Sequence, residues 1–340
     1  MTQPISIEQY LTEFTTVTVK SAGRLHMGFF DLHGGLGRKF GSIGLALDAP
    51  MLQLRASASE ETRVVGASSG RAEKILSILT DQLALSNVKN VQGISLNIEQ
   101  HIPEHAGLGS GTQLALAIGT AVNHLYGLNL KTAQIAQLLN RGNRSGIGIG
   151  AFDKGGLLID GGRAISASQN SAHKMPPLLA RYDFPDHWRI LLILDSTQPG
   201  IHGEEEITAF KQLPIFSEKL AAHLCRHVLM QAMPALVEQD LTMFGQSIQE
   251  LQAHVGDYFA PAQGGRYAST RVGKVLEYLS HAGVACFGQS SWGPTGFAVF
   301  ENQQEAEKYA SALQAKFPDP VLSWQICGAR NCGAEITKSK

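Results

Sequence analysis

The stretch "PEHAGLGSGTQLALAIGTA", Pro103 to Ala121, crowds Gly107, Gly109 and Gly111 into five residues and then turns into an apolar run. Before it, "ISLNIEQHI" alternates apolar Ile94, Leu96 and Ile98 with polar neighbours, the pattern of a half-buried strand. After it, Leu114, Ile118, Ala121, Val122 and Leu125 recur at helical spacing, which predicts a helix with one apolar face over 111–126. The glycines therefore lie between a strand and a helix N-terminus. Free backbone N–H groups and the positive end of the helix dipole favour an anion there, and glycines let a phosphate come close. Gly107, Leu108, Gly109, Ser110, Gly111 and Thr112 are thus candidate phosphate contacts. A tight turn with a serine or threonine cap is the plainer reading of the same residues.

A chain of 340 residues, 44% of them hydrophobic, can fill one large or two medium cores. A net charge of -1 and the lack of any Lys/Arg run exclude the electrostatic footprint of a nucleic-acid binder. No apolar stretch approaches membrane-spanning length, and "ILLIL" at Ile190–Leu194 reads as a buried strand. The opening "MTQPISIEQYLTEF" carries acids and no long apolar run, which argues against a secretory signal. Cys225, Cys286, Cys327 and Cys332 are scattered and form no disulfide framework. These features predict a cytoplasmic protein that handles small molecules, without nucleic-acid or membrane partners.

Strands are expected at 16–20, 51–55, 63–66, 94–100 and 155–162, with helices at 71–83, 111–126 and 131–140. The serine-rich "ISASQNSAHKMPP" then marks a crossing, which divides the chain into 1–172 and 173–340. The second half reads as a strand at 188–194 and helices near 217–232, 236–254 and 266–282. Strands at 284–289 and 297–300, a helix at 303–316 and a strand at 322–327 complete it. The order is α+β in both halves rather than regular βαβ repetition.

Four further stretches can carry chemistry. "SAGRLHMGFFDLHGG" sets Arg24, His26, Asp31 and His33 in a glycine-bounded segment after a strand. Arg24 suits an anion and Asp31 a substrate or metal, with turn chemistry as the alternative. "LNRGNRSGIGIGAFDKGG" places Arg141, Arg144 and Ser145 before alternating glycines and then Asp153, a set suited to a phosphate or carboxylate, although surface arginines are common. "STQPGIHGEEEITAF" offers His202 and Glu204 to Glu206; acids at a helix start are favoured by the dipole in any case, and a magnesium or substrate role is the sharper reading. "FGQSSWGPTGFAVF" puts Gln289, Ser290, Ser291 and Trp292 in a turn between strands, facing an aromatic ligand or merely packing Trp292 on the core.

Other patterns fail. No G-x-x-x-x-G-K-[ST] is present, and "GIGIG" at Gly146–Gly150 follows no strand and misses the dinucleotide fingerprint. "HLCRH" spaces His223 and His227 at i, i+4, but Leu224 stands where a zinc protease needs glutamate and the sequence shows no third ligand.

Taken together, "PEHAGLGSGTQLALA" resembles the second motif of the GHMP kinase superfamily. "SAGRLHMGFFDLHG" and "FGQSSWGPTGFAVF" lie where that superfamily has its first and third motifs. With "RGNRSGIGIGAFDKGG", nearly the whole chain is similar to the β-ribofuranosylaminobenzene 5′-phosphate synthase family. The resemblance implies a GHMP kinase-like two-domain fold, ribosomal protein S5 domain 2-like in the N-terminal half and ferredoxin-like in the C-terminal half. Several GHMP kinases carry S-G-x-D, whose aspartate is the catalytic base. Here Gly148 takes its place, at a cost of roughly 10²–10⁴-fold in proton-transfer help unless Asp153 folds back.

The resemblance further implies a pentosyl transfer in tetrahydromethanopterin biosynthesis, with an ATP-dependent GHMP small-molecule kinase or a non-catalytic phosphate-ligand sensor on the same fold as the alternatives. Phosphoribosyl pyrophosphate condenses with 4-aminobenzoate, or 4-hydroxybenzoate in some members, releasing carbon dioxide and pyrophosphate. A homodimer using Mg²⁺ is expected. Asp31 or Glu204 would hold the metal, and Arg141 and Ser145 join the glycine loop on phosphate. Arg24 is expected on the benzoate carboxylate and Arg144 on the donor phosphates. Phe29 or Trp292 would stack on the ring. His26, whose ordinary pKa lies near neutrality, is given an orienting role.

Overall fold

The computed structural model describes residues 16–85, 93–165, 175–201 and 203–340. The expected boundary between 172 and 173, and His202, lie outside the described residues. The first part of the chain runs β1 (Thr16–Asp31), β2 (Arg38–Lys39), β3 (Gly41–Ala58), β4 (Arg63–Gly66), α1 (Ser69–Leu85) and β5 (Ile94–Gln100). Then come α2 (Ser110–Leu125), α3 (Thr132–Leu138), α4 (Ile147–Asp153), β6 (Leu157–Asp160), β7 (Arg163–Ala164) and β8 (Leu178–Tyr182). The remainder is β9 (Arg189–Asp195), α5 (Gly203–Gln212), α6 (Glu218–His227), α7 (Met233–Glu238), α8 (Leu241–Gln263) and α9 (Thr270–His281). It closes with β10 (Cys286–Gln289), β11 (Gly296–Phe300), α10 (Gln303–Lys316), β12 (Leu322–Cys327) and β13 (Glu335–Ser339). A π-helical turn, Val228–Ala232, joins α6 to α7.

The first sheet is ordered β13-β1-β3-β5-β4, with β6 on the far half of β3 and β8 on β6. Its spine is the long antiparallel pair β1–β3, with Val19 opposite Leu54 and Leu25 opposite Leu45. The strand expected at 16–20 in fact continues through the first motif to Asp31, because irregularities in register after Ala22, His26 and Phe29 absorb the motif's awkward residues. Between two of these breaks Arg24 to His26 keep regular register with Ala46 to Gly44, so Arg24 and His26, two residues apart, share one face of the strand. Two strands beyond residue 172, β8 and β13, belong to this sheet.

Helix α2 lies across β1 and β3 and touches α1, α3 and α4. Residues 113–122 are all buried, so this helix is central rather than merely amphipathic, and Ala115, Ala117 and Gly119 permit the close approach of its neighbours. The second sheet, β10-β11-β9-β12, is antiparallel throughout. Its chain order of strand, helices, two strands, helix and strand is the ferredoxin-like arrangement. Strand β9 is apolar without interruption because both faces are covered. Leu191 and Ile193 meet a cluster with Val272, Val275 and Leu313, while Ile190 and Leu192 join the main core with Trp188 and Phe244.

Candidate active site

The glycine loop is built as the sequence predicts. Gly107 and Gly109 hold φ of 75° and 80°, a left-handed conformation that costs other residues about 1–2 kcal/mol. Gly109 is the N-cap of α2, and no side chain caps the helix, so the plainer reading of a serine or threonine cap does not hold. The N-terminal N–H groups of α2 are left for an anion.

The first and third motifs converge on this loop. Arg24 donates from its backbone N–H to Leu108 O at 3.0 Å and from its guanidinium to Gly107 O. Ser290 Oγ donates to the same carbonyl at 2.8 Å and accepts from the His26 backbone N–H at 3.0 Å. Gln289 is committed too: its Oε1 accepts from Ala268 N–H at 2.7 Å and its amide donates to Ser291 O at 3.1 Å. Ser291 N–H in turn donates to His26 O at 2.9 Å. Gln289 and Ser290 thus fasten the motifs together, and their polar groups are engaged within the protein rather than presented to a ligand.

Three arginines surround the loop. A Cβ on Gly109 would sit 3.2 Å from the Arg24 side chain, and one on Gly111 would run into Arg71. Arg71 also reaches Ser110 Oγ at 3.4 Å. Arg141 is half-buried, its Nε is buried without a partner, and burial and then the nearby Arg71 lower its pKa. Burial likewise pushes Arg24 down to about 10, Glu206 partly opposing the shift, so the guanidinium keeps its charge at neutral pH. Glu104 Oε2, 3.9 Å from Arg71, offsets one of the two like charges, and the unused buried donor of Arg141 is left for an anion. Arg71 escaped the sequence reading, since nothing in "SSGRAEKIL" shows that it reaches across to Ser110.

The other assignments divide. Arg144 pairs with Glu206 at 2.6 Å and lies 5.0 Å over the Phe210 ring. Glu206 also accepts from Trp292 Nε1 at 3.0 Å. Glu204 is exposed in the first turn of α5, so the acid at the site is Glu206, chosen by the rotation of that helix. Asp31 lies seven residues along β1 from Arg24, and its Oδ1 accepts from the His33 and Gly34 N–H groups at 2.9 and 3.3 Å. Turn chemistry explains that residue. Asp153 ends α4, about 10 Å along the helix from Gly146, and accepts from Thr132 Oγ1 at 2.8 Å. It does not fold back to Gly148. Ser145 donates at 2.8 Å to Asp160 Oδ2, which also accepts from Ser42 Oγ and Gly146 N–H at 2.8 Å, while Asp160 Oδ1 accepts from Gly162 N–H at 2.8 Å. Ser145 is therefore tied to Asp160 as part of a latch. For Mg²⁺, a hard cation that prefers oxygen, Asp31 and Glu204 form no joint site, and Glu206 does not fit one: its two oxygens are engaged by Arg144 and Trp292, and the Arg24 guanidinium also lies near it.

Next to the loop lies a cavity of about 30 Å³ lined by His26, Phe29, Phe259, Trp292, Gln252 and Arg266, among others. Trp292 tilts against Phe259 at 4.2 Å between ring centroids, and His26 against Phe29 at 4.5 Å. Burial, then the charge of Arg24, pushes His26 down to about 3, so it is neutral at pH 7 and does not switch there. Its ring bonds to its own backbone, and Nε2 is buried without a partner.

Residues 71–154 match the model of the GHMP kinases N terminal domain and 232–319 that of the GHMP kinases C terminal domain. The chain is 33% identical over 331 residues to a protein of Archaeoglobus fulgidus named beta-ribofuranosylphenol 5'-phosphate synthase, covering 94% of this chain and 98% of that one. It is 28% identical over 334 residues to a protein of the same name from Methanothermobacter thermautotrophicus, covering 94% and 98%. Among solved structures it resembles a homoserine kinase from Cytophaga hutchinsonii, with a TM-score of 0.68, 17% identity and 99% of each chain covered. It also resembles mevalonate diphosphate decarboxylase from Staphylococcus aureus, with a TM-score of 0.63, 13% identity and coverage of 97% and 100%. These two likenesses concern the fold. No helix among the described residues is long and apolar enough to cross a membrane.

Proposed function

This chain belongs to the β-ribofuranosylphenol 5′-phosphate synthase family of the GHMP kinase superfamily, and on that premise we propose that it is a decarboxylating pentosyltransferase. The donor is phosphoribosyl pyrophosphate and the acceptor 4-hydroxybenzoate or 4-aminobenzoate. The phenol in the relatives' name corresponds to the first acid once its carboxyl is lost. The observation that carries the reading is a superfamily phosphate cradle without the superfamily's base. Gly148 stands in the aspartate's place, its carbonyl accepts from Gln113 at 2.8 Å, and Asp153 is engaged elsewhere.

In this reading the ring carbon bearing the carboxylate attacks ribose C1 as the C1–oxygen bond to pyrophosphate breaks. The ring–carboxyl bond then breaks, its electrons restore the aromatic ring, and carbon dioxide leaves. Charge grows on the pyrophosphate, and the α2 N-terminus with Arg71, Arg141 and Arg24 meets it. Mg²⁺ carried in on the substrate phosphates would neutralise further charge on the leaving group. Arg144, on the aromatic side over Phe210, orients the acid's carboxylate, so the two arginine roles are the reverse of the sequence expectation. The cavity has room for water rather than a benzoate ring. The acid therefore docks at its mouth. Mass spectrometry of the products tests this. A ribosylated aromatic lacking the carboxyl is expected from phosphoribosyl pyrophosphate with either acid. No such product, together with a phosphorylated alcohol formed from ATP, would replace the reading with a kinase.

A further inference from the structure

The i, i+4 histidine pair set aside in the sequence gains in three dimensions the partners it lacked. His223 on α6 faces Glu250 and His254 on α8, and the three ligand atoms lie within 4.8 Å of one another. Both His223 Nε2, at 2.8 Å, and His254 Nε2, at 3.0 Å, donate to the same oxygen, Glu250 Oε1. Those hydrogen bonds and charges hold the Glu250 carboxyl below its usual range against a smaller opposing effect of burial. His227 packs beside His223 with ring centroids 4.5 Å apart, and its Nδ1 meets Gln231 Oε1 at 2.8 Å. Among the described residues no other group of three His, Cys, Asp or Glu side chains is so arranged.

We infer that His223, Glu250 and His254 form a binding site for a divalent transition-metal ion of the Zn²⁺ type. Two imidazole nitrogens and one carboxylate oxygen are a recurrent zinc ligand set, and they complete a tetrahedron with water. Nitrogen donors select such ions over Mg²⁺, so this site is separate from the leaving-group metal of the proposed reaction. The present bonds show how little must move. Each histidine already aims Nε2 at one point beside the carboxylate, and an ion placed there takes over both N–H contacts as each ring carries its proton on Nδ1. The ligand side chains are 37–44% exposed, which gives an ion in solution direct access. The ligands come from different helices, and the two on α8 bracket Gln252, whose amide donates to Gln289 O at 3.0 Å and also to Met27 O. An ion would therefore clamp α6 to the helix that lines the aromatic cavity.

Zn²⁺ titration of the full chain by calorimetry, with Co²⁺ absorption as a second readout, tests the inference. One ion per chain is expected, with a melting temperature raised on the order of 5 °C at a hundredfold excess over Kd. His254→Ala and His223→Ala should each weaken binding by more than about 100-fold, since even supporting residues around a metal are worth 10–100-fold. Their melting temperatures in chelator should match the parent's, which separates loss of a ligand from loss of the fold. Absence of binding, or binding unchanged in both variants, as at the exposed Cys332, would overturn the site.

Discussion

Gly107 and Gly109 share a backbone conformation and differ in what a side chain would meet. At Gly107 it would meet the Ser290 carbonyl, which is backbone and cannot yield. At Gly109 it would meet the flexible Arg24 side chain and the space an anion needs. Gly107→Ala should therefore cost about 2 kcal/mol or more in urea unfolding. Gly109→Ala should cost only about 1–2 kcal/mol for its left-handed φ, less than Gly107→Ala, and lose turnover by at least about 100-fold. The arginines make a paired prediction. Lysine keeps the charge but lacks the planar fork, so one charge-assisted bond worth about 1.5–3 kcal/mol is lost. Arg24→Lys should raise the KM for phosphoribosyl pyrophosphate roughly 10- to 150-fold and spare that for the aromatic acid, with Arg144→Lys doing the converse. Equal effects on both substrates in each variant would reduce the two arginines to loop pins. His26 has a folded pKa of about 3, far below its unfolded value, so the unfolded chain binds the extra proton. Its effect on stability is nil above pH of about 6.5, and stability falls by about 1.4 kcal/mol per unit as pH drops from there. Urea melts of His26→Asn should show a correspondingly flatter acid limb than the parent.

At the scale of elements, the latch on Asp160 sets where α4 begins. Its carboxyl is buried, and burial raises its pKa against the lowering effect of the bonds from Ser42, Gly162, Ser145 and Gly146. Asp160→Asn turns an N–H₂ toward donors and should cost about 3 kcal/mol in urea unfolding, while raising the KM for the acid as Arg144 shifts. This also explains where the sequence was legible. The helix after the glycine loop, the strand at 94–100 and most of the C-terminal half follow from local periodicity and stand in the structure. Helix α4 does not follow, since "GIGIGAF" is poor helix sequence. It forms because the packing wants small residues: Ile147 occupies the space beside Gly44, and Thr112 comes within 3.1 Å of where a Gly148 side chain would start. The loop, Arg24, Arg141 and Arg144 were readable as candidate anion contacts, and the structure brings the loop, Arg24 and Arg141 together while Arg144 pairs with Glu206. Of the acids Glu204 to Glu206 the sequence marked the cluster but not which one turns inward, and Arg71 and Asp160 were not readable, because each acts across a fold contact that local sequence does not encode.

For the molecule as a whole, a GHMP kinase scaffold keeps the glycine loop at the start of α2 and has Gly148 where several of those kinases carry the catalytic aspartate. Ionised pyrophosphate is the group that most needs charge neutralised. Chelation should therefore abolish turnover, and added Mg²⁺ restore it; full activity in excess chelator would remove the metal from the account. In the proposed reaction the aromatic carboxyl leaves while ATP plays no part. Carboxyl-labelled 4-hydroxybenzoate and 4-aminobenzoate, each incubated with phosphoribosyl pyrophosphate and Mg²⁺ but no ATP, test it most directly. Labelled carbon dioxide and pyrophosphate are expected in equal amounts with at least one of the acids. Label retained in both acids, while the same preparation consumes ATP on addition of an alcohol substrate, would contradict it.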